Sequence, residues 1–282
     1  MVEGAEGTVT AEGGRRIGYA VSGDPRGRPV VFCHGGSGSR RMELGTPEMQ
    51  ARAGVRHVAI ERPGFGLSDG RLGWRLLDWP GDVDVVARHL HIDSYGVVGF
   101  SAGGRCALAC GVARPDAVTR VDVVAGVLPP SWYPDDELVA LAARDLDAAT
   151  RQLRRHIEGF AADVDATVEA MGTVPGPDGP IYQRPEIRAL FLATYREAFR
   201  SGIDGAVHDA LLSNVSWGFD LADLAVPVHW WHGTDDRLTP GPIVQRAIGH
   251  LPGHTLTLYK GEGHAIGFTH AEDILATIGA VP

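Results

Sequence analysis

Lysine is nearly missing from this chain: Lys260 is the only one in 282 residues, and arginine carries the rest of the positive charge. The basic residues form no block, and a net charge of −9 is spread along the sequence. Nucleic acid and anionic membrane are therefore not expected partners. Long apolar runs are missing as well, since nothing approaches the run of about 18 residues that a spanning helix needs. The opening MVEGAEGTVTAEGGRR has no apolar centre, so no secretory signal is expected and the chain reads as cytoplasmic. Cysteine is scarce and odd in number. Cys33, Cys106 and Cys110 each sit in an apolar run, which points to buried free thiols and away from a disulfide framework. Cys106 and Cys110 stand one helical turn apart, but no second pair or histidine cluster completes a metal site.

What is present is a composition 44% hydrophobic and 22% charged, which suits an α/β domain carrying an insertion. Strand-type runs near 8–10, 17–21, 30–33, 57–60, 95–100 and 120–124 alternate with helical patterns near 41–53, 79–90 and 103–113. That alternation predicts a mostly parallel sheet flanked by helices. From Pro129 the pattern turns helical, with stretches at 135–160, 162–171, 186–201 and 206–214 and a loop at TVPGPDGP, 173–180. Strands near 226–232 and 255–259, each followed by a helix, bring the expected total to eight strands. The expected organisation is a core of residues 1–128 and 226–282, with residues 129–225 inserted as a helical cap over the strand ends.

GFSAGG, residues 99–104, follows a strand and opens a helix. Glycines two residues before and after Ser101 match a nucleophile elbow, a turn so tight that only residues without bulk fit beside the serine. A serine hydroxyl needs a base oriented by an acid. Among twelve histidines, position selects His264, in the Gly-rich loop GEGHAIGF between the last strand and the last helix. His250, His254 and His270 suit surface or capping roles better. The acid is expected after the preceding strand, in HGTDDRLTP. Spacing from Gly233 selects Asp236, with Asp235 as the alternative. Two backbone donors for an oxyanion are expected from Ala102 and from HGGSGS, residues 34–39, where Gly36 leads and Ser37 is next.

In chain order, HGG, ERPGFGLSD, GFSAGG, HGTDDRLTP and GEGHA resemble the α/β-hydrolase fold superfamily in its serine-nucleophile branch. The resemblance covers nearly the whole chain outside the cap. It implies Ser101 as nucleophile, Asp236 as orienting acid, His264 as base, and Gly36 with Ala102 as oxyanion donors. No metal or organic cofactor is implied. The expected substrate is a small molecule, most simply a carboxylic ester. Other readings are a non-hydrolytic lyase, cyclase or acyltransferase, an aminopeptidase or amidase, or a silent binding module. Where many relatives have a proline soon after the HG pair, this chain has Ser37 and Gly38, which weakens any specific assignment to a proline-iminopeptidase-like or haloperoxidase-like enzyme. Trp132, Tyr133, Trp217 and Phe219, at the two ends of the cap, are candidate pocket-lining residues or cap-to-core packing. Arg40 and Arg41 are expected to be solvated charges at a helix start.

Overall fold

Continuous apolar runs such as Val30–Cys33 and Tyr95–Phe100 are the pattern of strands covered on both faces, and both lie in the middle of the sheet. The computed structural model describes residues 5–249 and 253–280, so His250 falls outside the described residues. The strands are β1 (Ala5–Thr10), β2 (Arg16–Gly23), β3 (Arg28–Cys33), β4 (Val55–Ile60), β5 (Tyr95–Phe100), β6 (Val118–Val124), β7 (Val228–Gly233) and β8 (His254–Tyr259). They form one sheet in the order β1-β2-β4-β3-β5-β6-β7-β8. β1 and β2 pair antiparallel with each other and β2 antiparallel with β4; all later pairings are parallel. The eight-stranded, mostly parallel sheet is the one expected.

Helices α1 (Pro47–Arg52), α2 (Trp79–His89) and α3 (Gly103–Ala113) follow β3, β4 and β5. Trp79 and Val83 of α2 and Cys106 and Cys110 of α3 join one buried layer against the sheet, and all three cysteines are buried and free. The chain between β6 and β7 holds α4 (Glu137–Arg144), α5 (Leu146–Ala162), α6 (Val164–Met171), α7 (Asp178–Tyr182), α8 (Pro185–Ala198) and α9 (Asp204–Leu212). After β7 come α10 (Gly241–Ile248), α11 (Ile266–Thr269) and α12 (Ala271–Ala280). Ile274, Leu275 and Ile278 of α12 share a second buried layer with Phe191 and Tyr195 of α8, so the insertion shares apolar packing with the core.

Three local expectations need correction. The helix expected over 41–53 is only α1, because Gly45 adopts φ +69° and Pro47 starts the helix behind its Thr46 cap. The helix expected over 135–160 is two: Asp145 leaves helical geometry and its carboxylate accepts from the Ala148 N–H, capping α5. Arg40 is not a solvated helix-start charge. It is buried and ion-paired with Glu6, Glu61 and Glu197, while Arg41 remains partly exposed near Glu197. One buried cation meeting three acids, among them Glu197 between β6 and β7, is a structural tie between the insertion and the core.

Several histidines are buried in their neutral form. Burial lowers the pKa of His57 to about 3 and also lowers those of His34 and His232. An unfolded histidine titrates near 6.5, so below that pH the unfolded chain binds protons that the folded chain refuses. Stability therefore falls as pH drops from 6.5 toward the folded pKa, by up to about 1.4 kcal/mol per pH unit for each such histidine. The melting temperature is expected to fall steeply between pH 7 and pH 5, and His57→Gln should flatten that slope. A melting temperature constant over this range would contradict the assignment of neutral buried histidines.

Candidate active site

The site is assembled where strands β5, β7 and β8 end. At the end of β5 the chain turns at Ser101, whose φ of +52° is a left-handed conformation rare for a residue with a side chain. The neighbouring glycines are required by space: a Cβ at Gly99 would lie 2.4 Å from the Gly103 oxygen, and one at Gly103 2.0 Å from the Cys33 oxygen. The turn is fixed by Ser101 N donating to the Val124 oxygen at 2.9 Å and Gly104 N donating to the Ser101 oxygen at 3.0 Å. Helix α3 starts at once, so the positive end of its dipole lies beside the serine.

His264 follows β8, with its Nε2 2.9 Å from Ser101 Oγ and its Nδ1 2.8 Å from Asp236 Oδ2. Asp236, in the loop after β7, is held by Leu238 N and Thr239 N, which donate to Oδ1 at 2.8 and 3.0 Å. Buried His232 places Nε2 3.3 Å from the same Oδ2 that meets His264, and 2.7 Å from the Thr239 oxygen. Burial alone would raise the Asp236 pKa, but the hydrogen bond and charge of His264 and the Thr239 N–H outweigh it and hold the carboxyl below its usual value. An ionised Asp236 fixes the His264 proton on Nδ1, which leaves the Nε2 lone pair facing the Ser101 hydroxyl. Asp235 is exposed and accepts from Thr234 Oγ1, away from this chain of contacts. Of the two adjacent acids, the structure brings Asp236 to His264.

Gly36 and Ala102 face one another across the opening: a Cβ at Gly36 would be 3.8 Å from the Ala102 Cβ. Among the described residues, neither backbone N–H has an acceptor in the protein. Gly36 is exposed and Ala102 half-buried, whereas Ser37 is buried in a left-handed turn. Two free donors beside a serine at a helix start can bind a developing oxyanion.

Sequence reasoning missed Asp178. Its side chain reaches from α7 to accept the His264 N–H at 3.0 Å and the Ala265 N–H at 2.8 Å, and Gly263 leaves the room, since a Cβ there would lie 2.4 Å from the carboxylate. The insertion thus holds the loop that carries the histidine. Asp178→Ala is expected to lower kcat about tenfold with little change in KM, because a small displacement of a positioned base is costly. Steady-state kinetics checks this, and an unchanged kcat would remove the tether from the account.

The aromatic residues at the insertion's ends take the packing role. Trp132, Tyr133 and Phe219 lie half-buried against the core layer and Trp217 belongs to it. The Tyr133 hydroxyl accepts from Leu128 N at 3.3 Å, and Trp217 and Phe219 line a smaller cavity of about 400 Å³. A larger cavity, about 810 Å³, is lined by other apolar side chains of the insertion, among them Phe160, Met171, Tyr182 and Tyr195. Asp178 and Leu238 also line it, which sets it against the loops of His264 and Asp236; Ser101 does not line it. Among the described residues, no helix is long and apolar enough to cross a membrane.

Comparison with known proteins agrees with this architecture. The chain is 28% identical to a non-heme chloroperoxidase of Streptomyces lividans, over 96% of this chain and 99% of that protein. It is 26% identical to a pimeloyl-[acyl-carrier protein] methyl ester esterase of Pseudoalteromonas atlantica, over 77% and 80% of the two chains. Similarity to a chloroperoxidase exists despite the missing proline after the HG pair. A solved thermophilic esterase from Thermogutta terrifontis shares the fold with a TM-score of 0.71 at 18% identity, covering 98% of this chain and 96% of that one. Residues 28–271 match the family model described as alpha/beta hydrolase fold. By that match, and by the sheet order and strand-end loops it accompanies, the chain belongs to the alpha/beta hydrolase fold family.

Proposed function

We propose that the chain is a serine hydrolase that cleaves carboxylic esters of small, largely apolar molecules through an acyl-enzyme. The observation that carries this reading is the continuous contact from Ser101 Oγ through His264 to the buried Asp236 carboxylate, 2.9 and 2.8 Å long. Ser101 attacks the ester carbonyl while His264 Nε2 takes its proton. The resulting oxyanion accepts from the Gly36 and Ala102 N–H groups. His264 then gives the proton to the leaving alcohol, and a water activated by the same nitrogen releases the acid. Asp236 stays ionised throughout and favours the imidazolium form in each step.

Residues 129–225 act as a cap in this reading, and residues 1–128 and 226–282 as the catalytic core. The cavity of about 810 Å³ lined mainly by the cap and bordered by Leu238 receives the apolar part of the ester, a volume within the range of small-molecule sites. Relatives named for ester cleavage support the choice of ester. The test is hydrolysis of 4-nitrophenyl esters of increasing acyl length. The expected result is measurable turnover with an optimum in acyl length. A folded protein with no turnover on any member of the series would overturn the ester assignment.

A further inference from the structure

Beneath the two free N–H donors lies an ionic cluster that the acyl-transfer steps do not use. Arg62, in the loop after β4, and Arg105, on α3, are fully buried, and Asp209 of α9 is nearly so. Asp209 Oδ1 accepts from Arg62 Nε at 2.7 Å and from Arg105 Nη2 at 2.8 Å, and its Oδ2 accepts from Arg62 Nη2 at 2.9 Å. Arg105 Nη2 also donates to the Asp209 backbone oxygen at 2.7 Å. Burial works against the charged carboxylate, but Arg105 and Arg62 outweigh it and lower the Asp209 pKa to about 2. Two guanidinium groups against one carboxylate leave a net positive charge in a place that water does not reach.

Further donors of both arginines point at the oxyanion-binding segments. Arg62 Nη1 donates to the His34 oxygen at 2.5 Å and Nη2 to the Gly35 oxygen at 2.9 Å. The Gly35 carbonyl belongs to the same peptide unit as the Gly36 N–H. It also accepts from His34 Nδ1 at 2.9 Å and from Gly38 N at 3.2 Å. Arg62 N donates to His34 Nε2 at 3.3 Å, which keeps the His34 proton on Nδ1. Three donors on one carbonyl fix the plane of a rigid peptide and polarise it, so the N–H at its other end is both aimed and strengthened. On the second limb, Arg105 Nη1 donates to the Ala102 oxygen at 2.8 Å.

We infer that Arg62 and Arg105, clamped by Asp209 of the insertion, are positioning residues that orient the Gly36 and Ala102 segments for the oxyanion and make oxyanion binding depend on the seated insertion. This rests on the proposed hydrolase reading. The three residues touch no substrate atom. Their effect passes through the Gly35–Gly36 peptide and the Ala102 turn, and it is felt when the carbonyl oxygen becomes negative.

The experiment compares Arg62→Lys and Asp209→Asn with wild type in 4-nitrophenyl ester hydrolysis and in inhibition by an alkylboronic acid, which binds a serine as a tetrahedral anion. Arg62→Lys keeps the charge and loses the fork that reaches both carbonyls. It is expected to lower kcat about a hundredfold, at the low end of the loss seen when an oxyanion donor is removed. KM should stay within a few-fold, and boronate affinity should fall by a factor similar to the loss in kcat/KM. Asp209→Asn keeps the shape and both arginines, so it carries the same test if Arg62→Lys does not fold, with an expected loss of about tenfold. Wild-type turnover with both readouts unchanged in a folded variant would overturn the inference alone. A kcat loss without a matching loss of boronate affinity would also overturn it, as the sign of a general structural effect. Absence of Ser101-dependent turnover in wild type would overturn the underlying hydrolase reading first.

Discussion

Ser101→Ala is expected to lower kcat/KM for ester hydrolysis by at least about 10⁴-fold, the scale of loss when a serine nucleophile is removed from such an array. The loss should fall almost wholly on kcat, because the hydroxyl contributes little to holding a neutral ester. Among the described residues, no other group replaces it within the contacts of His264, whose Nε2 meets Ser101 Oγ and whose Nδ1 is committed to Asp236. The fold should be unaffected. The turn is held by backbone bonds at Ser101 N and O and by the space around Gly99 and Gly103, none of which involves the hydroxyl. Near-ultraviolet circular dichroism and melting temperature should therefore match wild type while turnover disappears. A variant that retained wild-type turnover would remove Ser101 from the mechanism.

Asp236→Asn is the second large effect, a fall in kcat of about 10⁴-fold. The Leu238 and Thr239 N–H groups both donate to Oδ1, so an asparagine would keep its oxygen there and turn its NH₂ toward His264. A donor facing Nδ1 forces the imidazole proton onto Nε2, where it points at the Ser101 hydroxyl and blocks proton removal. Asp235→Asn should change kcat less than twofold, since among the described residues the exposed Asp235 carboxylate meets only the Thr234 Oγ1 side chain. Side-by-side kinetics of the two variants checks both statements. Equal losses would contradict the assignment of the acid to position 236.

The parts of the site legible in the sequence are those set by local chain geometry. Gly99 and Gly103 reveal Ser101 because their backbone leaves no room for a side chain. Asp236 and His264 sit at fixed distances beyond strands whose apolar runs are plain. The eight strands and their mostly parallel pairing followed from the same alternation. The residues that act across the chain were not legible. Asp178 and Asp209 are carboxylates on helices, a pattern that ordinarily marks a solvated face, and only the fold brings them to His264 N and to Arg62 and Arg105. Arg62 was inside the noticed run ERPGFGLSD, yet nothing local says that its guanidinium turns back onto the His34 and Gly35 carbonyls. The break between α4 and α5 had a signal, Asp145 as a cap, but the apolar helical spacing continues through it and hid the stop. The type of Trp217 and its place near the end of the insertion do not separate a pocket wall from a core contact, and the side chain is both.

The most direct test of Ser101 as an activated nucleophile is covalent capture. The wild-type protein would be incubated with a 4-nitrophenyl alkylphosphonate, and intact mass and peptide mapping would follow. The account predicts stoichiometric release of 4-nitrophenol, one phosphonyl adduct per chain on the peptide containing Ser101, and no adduct in Ser101→Ala. No adduct, or an adduct on another residue that persists in Ser101→Ala, would contradict it.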